Sequence, residues 1–194
     1  MFYATERRRI YISQQINIDD IFETNNYGQF KIISESNRRR GRSKCYDIQF
    51  IDTKSIRLGL VRTEILNGEI KDYYRPSIAG VGYIGSLIQK DYKVEYSMWK
   101  HMLHRCYNPF DENYIWYGKQ SVTIDKEWFN FENFVRDIPK VENFNKEKFD
   151  ARKIELDKDK KQLNLPLDER VYSLDTCCFL TRQENLELSK INKK

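Results

Sequence analysis

The spacing of the apolar residues changes once along this chain of 194 residues, and the change divides the sequence into two parts. Before residue 76, apolar and polar residues alternate in several short runs, as they do in half-buried β-strands. After residue 92, the apolar residues recur every three or four positions, as they do on one face of an α-helix. The sequence therefore predicts the fold class α+β, with a small antiparallel β-sheet module first and a module that contains helices second.

Three strands are predicted in the first part, at residues 28–34, 45–51 and 55–61. In the second of them Tyr46, Ile48 and Phe50 share one face, because successive side chains of a strand point to opposite faces. We expect Asn67-Gly68 to form a type I′ turn between two further short strands. One proline and three glycines in residues 76–85 indicate a connection between modules. The predicted domains are a basic β-rich module, a linker and an α+β module, at residues 1–75, 76–92 and 93–194.

The second part is predicted to begin with two helices. The first, over residues 96–107 with Ser97 as its N-cap, buries one apolar face made of Trp99, Met102, Leu103 and Cys106. The second, over residues 126–138, follows Asp125 as N-cap and ends at Pro139. Short strands and a last helix complete this part, at residues 153–156, 171–172, 177–180 and 184–191.

The excess of positive charge lies entirely in the first part. The formal net charge is +5, and residues 1–90 hold 15 Lys and Arg against 10 Asp and Glu. The charge is densest at Arg7-Arg8-Arg9 and in residues 38–44. The second of these runs contains five cations, Arg38, Arg39, Arg40, Arg42 and Lys44. We expect it to form a loop between two strands that contacts the phosphates of a nucleic acid, and a solvated loop without a partner is the alternative.

Several classes of protein are excluded by what the sequence lacks. No run approaches the roughly 18 apolar residues of a membrane helix, and charges interrupt the first twelve residues, so we expect a cytoplasmic protein without a membrane partner. The four cysteines contain no C-x-x-C and are predicted to be buried free thiols. The glycine-rich phosphate-binding motifs and the G-x-S-x-G motif of hydrolases do not occur.

Three carboxylates alternate at the end of the predicted strand 153–156. Glu155, Asp157 and Asp159 would project to one side, where their oxygens suit a hard cation such as Mg²⁺. A charged strand end that binds nothing is the alternative. His101 and His104 have a spacing that could hold a metal, but no acidic residue on the same helix face completes the site, and we expect them to lie on the polar face of the first helix.

Several segments of the second part together resemble the motifs of one known family. The string YSMWKHMLHRCYNP at 96–109, followed by VTIDKEW at 122–128, is similar to a segment of that family reading approximately W-x-x-M-x-x-R-C-Y-N-P and V-x-x-x-W. The strings ELDKD at 155–159 and VYSLDTCCFL at 171–180 look like its nuclease core. RPSIAGVGY at 75–83 is similar to a linker found in some of these proteins. The family is that of the phage HNH-type endonucleases, and the resemblance covers about residues 75–188.

The resemblance implies an HNH-like ββα core that holds one magnesium-like ion. Asp157 matches the metal-binding aspartate, and Asp159 lies beside it as a second candidate ligand. Lys158 stands where the family has its general-base histidine, and Thr176 stands near the expected asparagine. The leading prediction is therefore a phage-type, HNH-like DNA-binding protein with a degenerate nuclease site, whose DNA contacts include Lys100 and Arg105 besides residues 38–44.

Two alternatives stay open at this point. One is an active, atypical Mg²⁺-dependent DNA nickase that uses Asp157, Lys158 and Asp159, with the lysine as electrostatic stabiliser. The other is a phage inhibitor protein that binds a host defence enzyme or a nucleic-acid enzyme, because a nuclease-like surface is also suited to protein recognition.

Overall fold

The computed structural model describes residues 15–191, and these form two compact units. The first unit ends at Arg75 and the second begins at Pro76. Arg7-Arg8-Arg9, one of the two predicted centres of charge, lies outside the described residues. Within residues 15–191, no helix is long and apolar enough to cross a membrane.

The first unit is built on a four-stranded antiparallel sheet whose strands follow one another in chain order. The strands are Ile21–Glu23 (β1), Gln29–Arg40 (β2), Ser43–Phe50 (β3) and Ile56–Val61 (β4), and the helix Arg62–Asn67 (α1) follows. Phe30 lies opposite Phe50 and Ile32 opposite Ile48, so that the four side chains share the buried face. The predicted antiparallel sheet is confirmed.

The prediction of a hairpin turn at Asn67-Gly68 was wrong, because the residues before it are helical. Gly68 ends α1 in the left-handed conformation, with φ of 67°, and its N–H donates to the carbonyl oxygen of Ile65 at 3.3 Å. At the other end of α1, the Glu64 carboxylate accepts a hydrogen bond from the backbone N–H of Val61 at 2.9 Å. The glycine thus serves as a helix C-cap, which needs the same positive φ as a type I′ turn.

The second unit combines helices with two small sheets. Its helices are Lys93–Tyr107 (α2), Phe131–Asp137 (α3), Lys146–Asp150 (α4) and Arg182–Ile191 (α5). Its strands are Thr123–Ile124 (β5), Ile154–Asp157 (β6), Val171–Tyr172 (β7) and Cys178–Thr181 (β8). β5 pairs with β7 in parallel and β6 with β8 in antiparallel orientation, and α5 follows β8 directly. The fold class α+β is therefore confirmed.

Short 3₁₀-helices connect these elements. They span Gln89–Asp91, Tyr114–Trp116, Gly118–Gln120, Lys126–Phe129, Ile138–Lys140, Lys160–Gln162 and Leu167–Glu169. The helix predicted over 126–138 is divided into one of them and α3, because two side chains each cap a turn. Asp125 Oδ1 accepts from the N–H of Glu127 at 2.9 Å, and Asn130 Oδ1 accepts from the N–H of Glu132 at 3.0 Å.

The core of the second unit is rich in aromatic side chains. The predicted apolar face of α2 is confirmed, since Trp99, Met102, Leu103 and Cys106 are all buried. However, α2 begins at Lys93 with Tyr92 as N-cap, so the prediction of Ser97 as the cap was wrong. The Trp99 indole N–H donates to the carbonyl oxygen of Trp128 at 2.6 Å, which joins α2 to the segment before α3. All four cysteines are buried and free, as predicted.

Residues 76–92, predicted to be a linker, pack on this core and belong to the second unit. Ile78, Val81 and Ile84 contact the buried cluster, and the backbone of Tyr83 exchanges hydrogen bonds of 2.9 Å with Phe129 and Phe131. The segment packs on the core because its apolar side chains are partly buried there, while Gly82 and Gly85 are buried. Gly82 is needed for close approach, since a Cβ atom there would overlap Cδ1 of Leu103 and lie 3.0 Å from the Trp99 ring.

We expect Gly82→Ala to destabilise the second unit by about 1–3 kcal/mol, because it overpacks a full core. All three tryptophans, Trp99, Trp116 and Trp128, lie in the second unit, so urea unfolding followed by tryptophan fluorescence reports on that unit. Ser77→Ala, at an exposed position of the same segment, is the control and should change the free energy of unfolding by less than about 0.5 kcal/mol. Equal stability of both variants would show that this segment is not packed.

Candidate functional site

The basic run of the first unit lies in two paired strands rather than in a loop. β2 continues to Arg40 and β3 begins at Ser43, with Arg39 opposite Lys44 and Arg40 opposite Ser43. The prediction of a loop was therefore wrong for all but Gly41 and Arg42, because the strands continue to pair as far as the turn. Gly41 makes this turn with φ of 63°. We name residues 38–44 the basic hairpin.

Two carboxylates partly neutralise the basic hairpin. Arg39 and Lys44 each lie 3.3 Å from Glu35, and Arg40 lies 2.8 Å from Glu64. The hydrogen bond and the charge of Lys44 lower the pKa of Glu35. Since the hairpin carries five exposed cations, these two acids leave a surplus of three positive charges. Exposed ion pairs of this kind contribute about 0–1 kcal/mol each, so an anionic partner can replace them at low cost.

A cleft of about 410 Å³ opens in the second unit beside β6. The three carboxylates predicted to lie on one side, Glu155, Asp157 and Asp159, all line it. His101 and Arg105 of α2 and Asn185 of α5 line it as well. The volume lies in the range of about 300–1,000 Å³ that is usual for ligand-binding clefts.

Asp157 is held by the backbone at the end of β6. Its side chain is 5% exposed, and its Oδ1 accepts hydrogen bonds from the N–H groups of Asp159 at 3.0 Å and Lys160 at 2.8 Å. Burial raises the pKa of this carboxyl, and the negative charge of Asp159 adds to the effect. One oxygen of Asp157 is therefore used to shape the chain that follows the strand.

Asp159 is the acceptor in a buried ion cluster, which we define as Lys158, Asp159 and Arg170. Its Oδ1 accepts from Lys158 Nζ at 2.6 Å and from Arg170 Nη1 at 2.8 Å. The two cations are almost fully buried, with 3% and 7% of their side chains exposed. Burial alone would raise the pKa of Asp159, but the charge and hydrogen bonds of these two cations outweigh it and lower the pKa.

Two tyrosine rings contact both Lys158 of the ion cluster and Arg105. The rings of Tyr117 and Tyr172 stack with centroids 6.4 Å apart. Lys158 Nζ lies 5.0 Å and 5.6 Å from the two centroids, and the Arg105 guanidinium carbon lies 4.7 Å and 4.9 Å from them. Such contacts are attractive, because the faces of aromatic rings carry partial negative charge. The same two rings therefore hold one cation that lines the cleft, Arg105, and one that is buried, Lys158.

The structure brings the carboxylates to one cleft but does not arrange them as a cluster of metal ligands. Among residues 15–191, no group of three His, Cys, Asp or Glu side chains is placed to hold a metal. The candidate ligand Asp159 is already bonded to two cations, and Lys158 between the two aspartates would repel a further one. A site for Mg²⁺ needs about six oxygen ligands, several of which may be water, around an unpaired carboxylate.

The other residues predicted to contact DNA or a metal ion lie on α2 and in the turn before β8. Lys100 is exposed on α2, and Arg105 lines the cleft from the same helix. His104 contacts the Asn108 amide at 3.1 Å, while Thr176 donates its hydroxyl hydrogen to the carbonyl oxygen of Val171 at 2.7 Å. Thr176 thus shapes the turn before β8.

The sequence did not indicate three of the residues that build this cleft, Tyr117, Arg170 and Asn185. Arg170 is a single arginine in a segment without apolar periodicity, and Tyr117 is one of 13 tyrosines. Asn185 donates to Glu155 Oε2 at 2.7 Å, and so links α5 to β6 across a separation of 30 residues. Nothing in local spacing could have found these contacts, because all three depend on tertiary packing.

We expect Asp159→Asn to destabilise the second unit by about 3–5 kcal/mol at pH 7, because it leaves Lys158 buried without a counter-charge. The pKa of Asp159 is lower in the folded protein than in the unfolded chain, where it is near 4. The charged carboxylate therefore adds its full stability to the folded state above about pH 4, and this stability is lost as the pH falls through the pKa of the folded protein. The difference between parent and variant should therefore shrink below about pH 4.

Urea unfolding followed by tryptophan fluorescence at several pH values measures this effect. Asp168→Asn is the matched control, since it removes an exposed carboxylate from the same segment. It should shift the free energy of unfolding by less than about 0.5 kcal/mol. If Asp159→Asn were as stable as this control at pH 7, the ion cluster would not hold the cleft together.

Comparisons with protein-family models, with curated proteins and with solved structures found no match for this chain. The resemblance to phage HNH-type endonucleases therefore rests on the motifs of this sequence. The basic hairpin and the cleft are the two surfaces on which a function can be based.

Proposed function

We propose that this chain is a DNA-binding protein of the phage HNH-like type, in which the nuclease site is degenerate and does not cleave DNA. The order of β6, β8 and α5, an antiparallel strand pair followed by a helix, supports the ββα arrangement that the resemblance implies. The observation that carries the proposal is the state of Lys158, which stands at the position of the family's catalytic base.

Lys158 is not available for base catalysis. A general base must reach the proton that it removes and must have a free lone pair to accept it. The Lys158 side chain is 3% exposed, its Nζ donates to Asp159 at 2.6 Å, and the rings of Tyr117 and Tyr172 cover it. A charged ammonium group has only donors. The cleft therefore lacks a base at this position as well as a site that fits a metal ion.

The basic hairpin supplies the affinity for DNA. A two-stranded ribbon fits the major groove, which is about 12 Å wide, and the phosphates on both sides of the groove attract its cations. Successive side chains point to opposite faces of a strand, so Arg39 and Arg40 place charge on both faces of the ribbon. Binding of this kind depends on salt and only weakly on base sequence.

We expect the triple variant Arg39→Gln, Arg40→Gln, Arg42→Gln to bind a DNA duplex more weakly at every sequence tested. The slope of log K against log salt concentration should fall in magnitude by about 0.9 for each phosphate contact that is lost. Fluorescence anisotropy of a labelled duplex, measured from low to high salt, gives both quantities.

A matched control removes the same charge from elsewhere in the chain. Lys71, Lys90 and Lys93 are exposed and lie outside the basic hairpin. Their joint replacement by Gln should leave the salt slope close to that of the parent protein. If the two triple variants weakened binding equally, net charge alone would explain the affinity and the hairpin would have no special role.

The proposal also predicts that the protein does not nick DNA. We expect supercoiled plasmid to stay intact with the parent protein in Mg²⁺ or Mn²⁺, because Lys158 is not available as a base and the carboxylates of the cleft are not arranged as a cluster of metal ligands. Asp157→Ala serves as the reference for background nicking. Nicking by the parent that this variant abolishes would instead support the atypical nickase.

A further inference from the structure

Arg105 has a hydrogen-bond donor that the chain does not satisfy. Its Nε is buried and has no hydrogen-bond partner within residues 15–191. Buried polar groups are almost always paired, because an unmet donor costs about 1–3 kcal/mol. Nε itself is closed to solvent, so a molecule in the cleft that Arg105 lines would meet the outer Nη groups of the guanidinium and would reach Nε only if the side chain shifted.

The position of the guanidinium is fixed by the two tyrosine rings. Tyr117 and Tyr172 lie 4.7 Å and 4.9 Å from its central carbon, so the group packs against ring faces. A guanidinium packed in this way keeps its N–H donors free in its own plane, where they match the oxygens of a phosphate. The rings therefore orient the group without using its donors.

The carboxylates of the cleft are engaged elsewhere and do not satisfy Arg105. Asp159 is bonded to Lys158 and Arg170, and Asp157 accepts two backbone N–H groups. Glu155 accepts from Asn185 at 2.7 Å. Burial also raises the pKa of Asp157, and the negative charge of Asp159 adds to this effect.

We infer that the cleft of the second unit binds a phosphate group through the Arg105 guanidinium without a metal ion. The inference rests on the proposed function in one respect, namely that the phosphate belongs to the DNA backbone. Free phosphate offers the same chemistry. Arg152 and His101 line the same cleft and add donors. Of the charged side chains that line the cleft, Arg105 and Arg152 are positive and Glu155, Asp157 and Asp159 are negative. Lys158 and Arg170 do not line the cleft, but both pair with Asp159 and so offset one of the three carboxylates.

The test observes the Arg105 Nε–H group directly by NMR. In a ¹⁵N–¹H spectrum of the full chain recorded in EDTA, the Nε–H signal that disappears in Arg105→Lys is assigned to this residue. Inorganic phosphate and a short DNA duplex are then added in separate titrations. We expect a saturable shift of this signal with the duplex, and a shift with free phosphate as well if one phosphate group is enough.

The affinity of the variants completes the test. Whichever ligand shifts the signal should bind Arg105→Lys with a dissociation constant about tenfold higher or more, because a lysine cannot reproduce the paired donors of the guanidinium. Lys93→Gln, an exposed position on α2 that does not line the cleft, should leave the shift and the affinity unchanged. The titration itself uses only the parent protein, and Arg105→Lys serves for the assignment when the rest of its spectrum matches that of the parent.

The outcomes separate this inference from the proposed function. If the duplex binds by anisotropy while the Nε–H signal does not move with either ligand, the cleft is not a phosphate site and DNA binding stands. If free phosphate shifts the signal but the duplex does not bind, the phosphate site stands and the proposed function fails. If a shift appears only after Mg²⁺ replaces EDTA, a metal ion is required and the inference is overturned.

Discussion

The buried ion cluster of Lys158, Asp159 and Arg170 is the interaction on which the cleft depends. Removing an ion from water costs several kcal/mol, and only close, well-directed hydrogen bonds offset that cost. Asp159 receives such bonds from both cations, and Arg170 also donates from Nε to the carbonyl oxygen of Leu165 at 3.0 Å. Because Lys158 follows β6 and Arg170 precedes β7, the cluster fixes the ends of two strands that would otherwise be joined only by a long loop.

The neighbouring Gln162 adds neutral hydrogen bonds to the same connection. Its amide donates to the carbonyl oxygens of Lys158 at 2.6 Å and Val171 at 2.9 Å and accepts from the N–H of Val171 at 3.1 Å. The segment from 158 to 170 is thus held by buried polar and charged side chains rather than by an apolar core. This explains why its three leucines, Leu163, Leu165 and Leu167, stay partly exposed, and why local apolar spacing indicates so little about it.

The sequence predicts those parts of the fold that depend on local periodicity. The alternation around Ile48 and the spacing around Trp99 identify buried faces correctly, because the faces of strands and helices follow directly from their periods. Gly68 shows where this fails, since a positive φ serves a turn and a helix C-cap equally well. At the candidate site, the convergence of the carboxylates could be predicted, but their pairing could not. Arg170 reaches Asp159 across eleven residues, and a residue type alone does not specify which charges will meet.

The basic hairpin and Arg105 would contribute to DNA binding in different ways. The cations of the hairpin lie in exposed pairs with Glu35 and Glu64, so exchange of a carboxylate for a phosphate changes little except the release of counterions. Arg105 is already oriented and partly desolvated by Tyr117 and Tyr172, so a phosphate that reaches it loses less entropy on binding and meets a lower local dielectric. In the proposed complex with DNA, the hairpin would account for attraction at a distance, whereas the orientation of Arg105 would select how a phosphate enters the cleft.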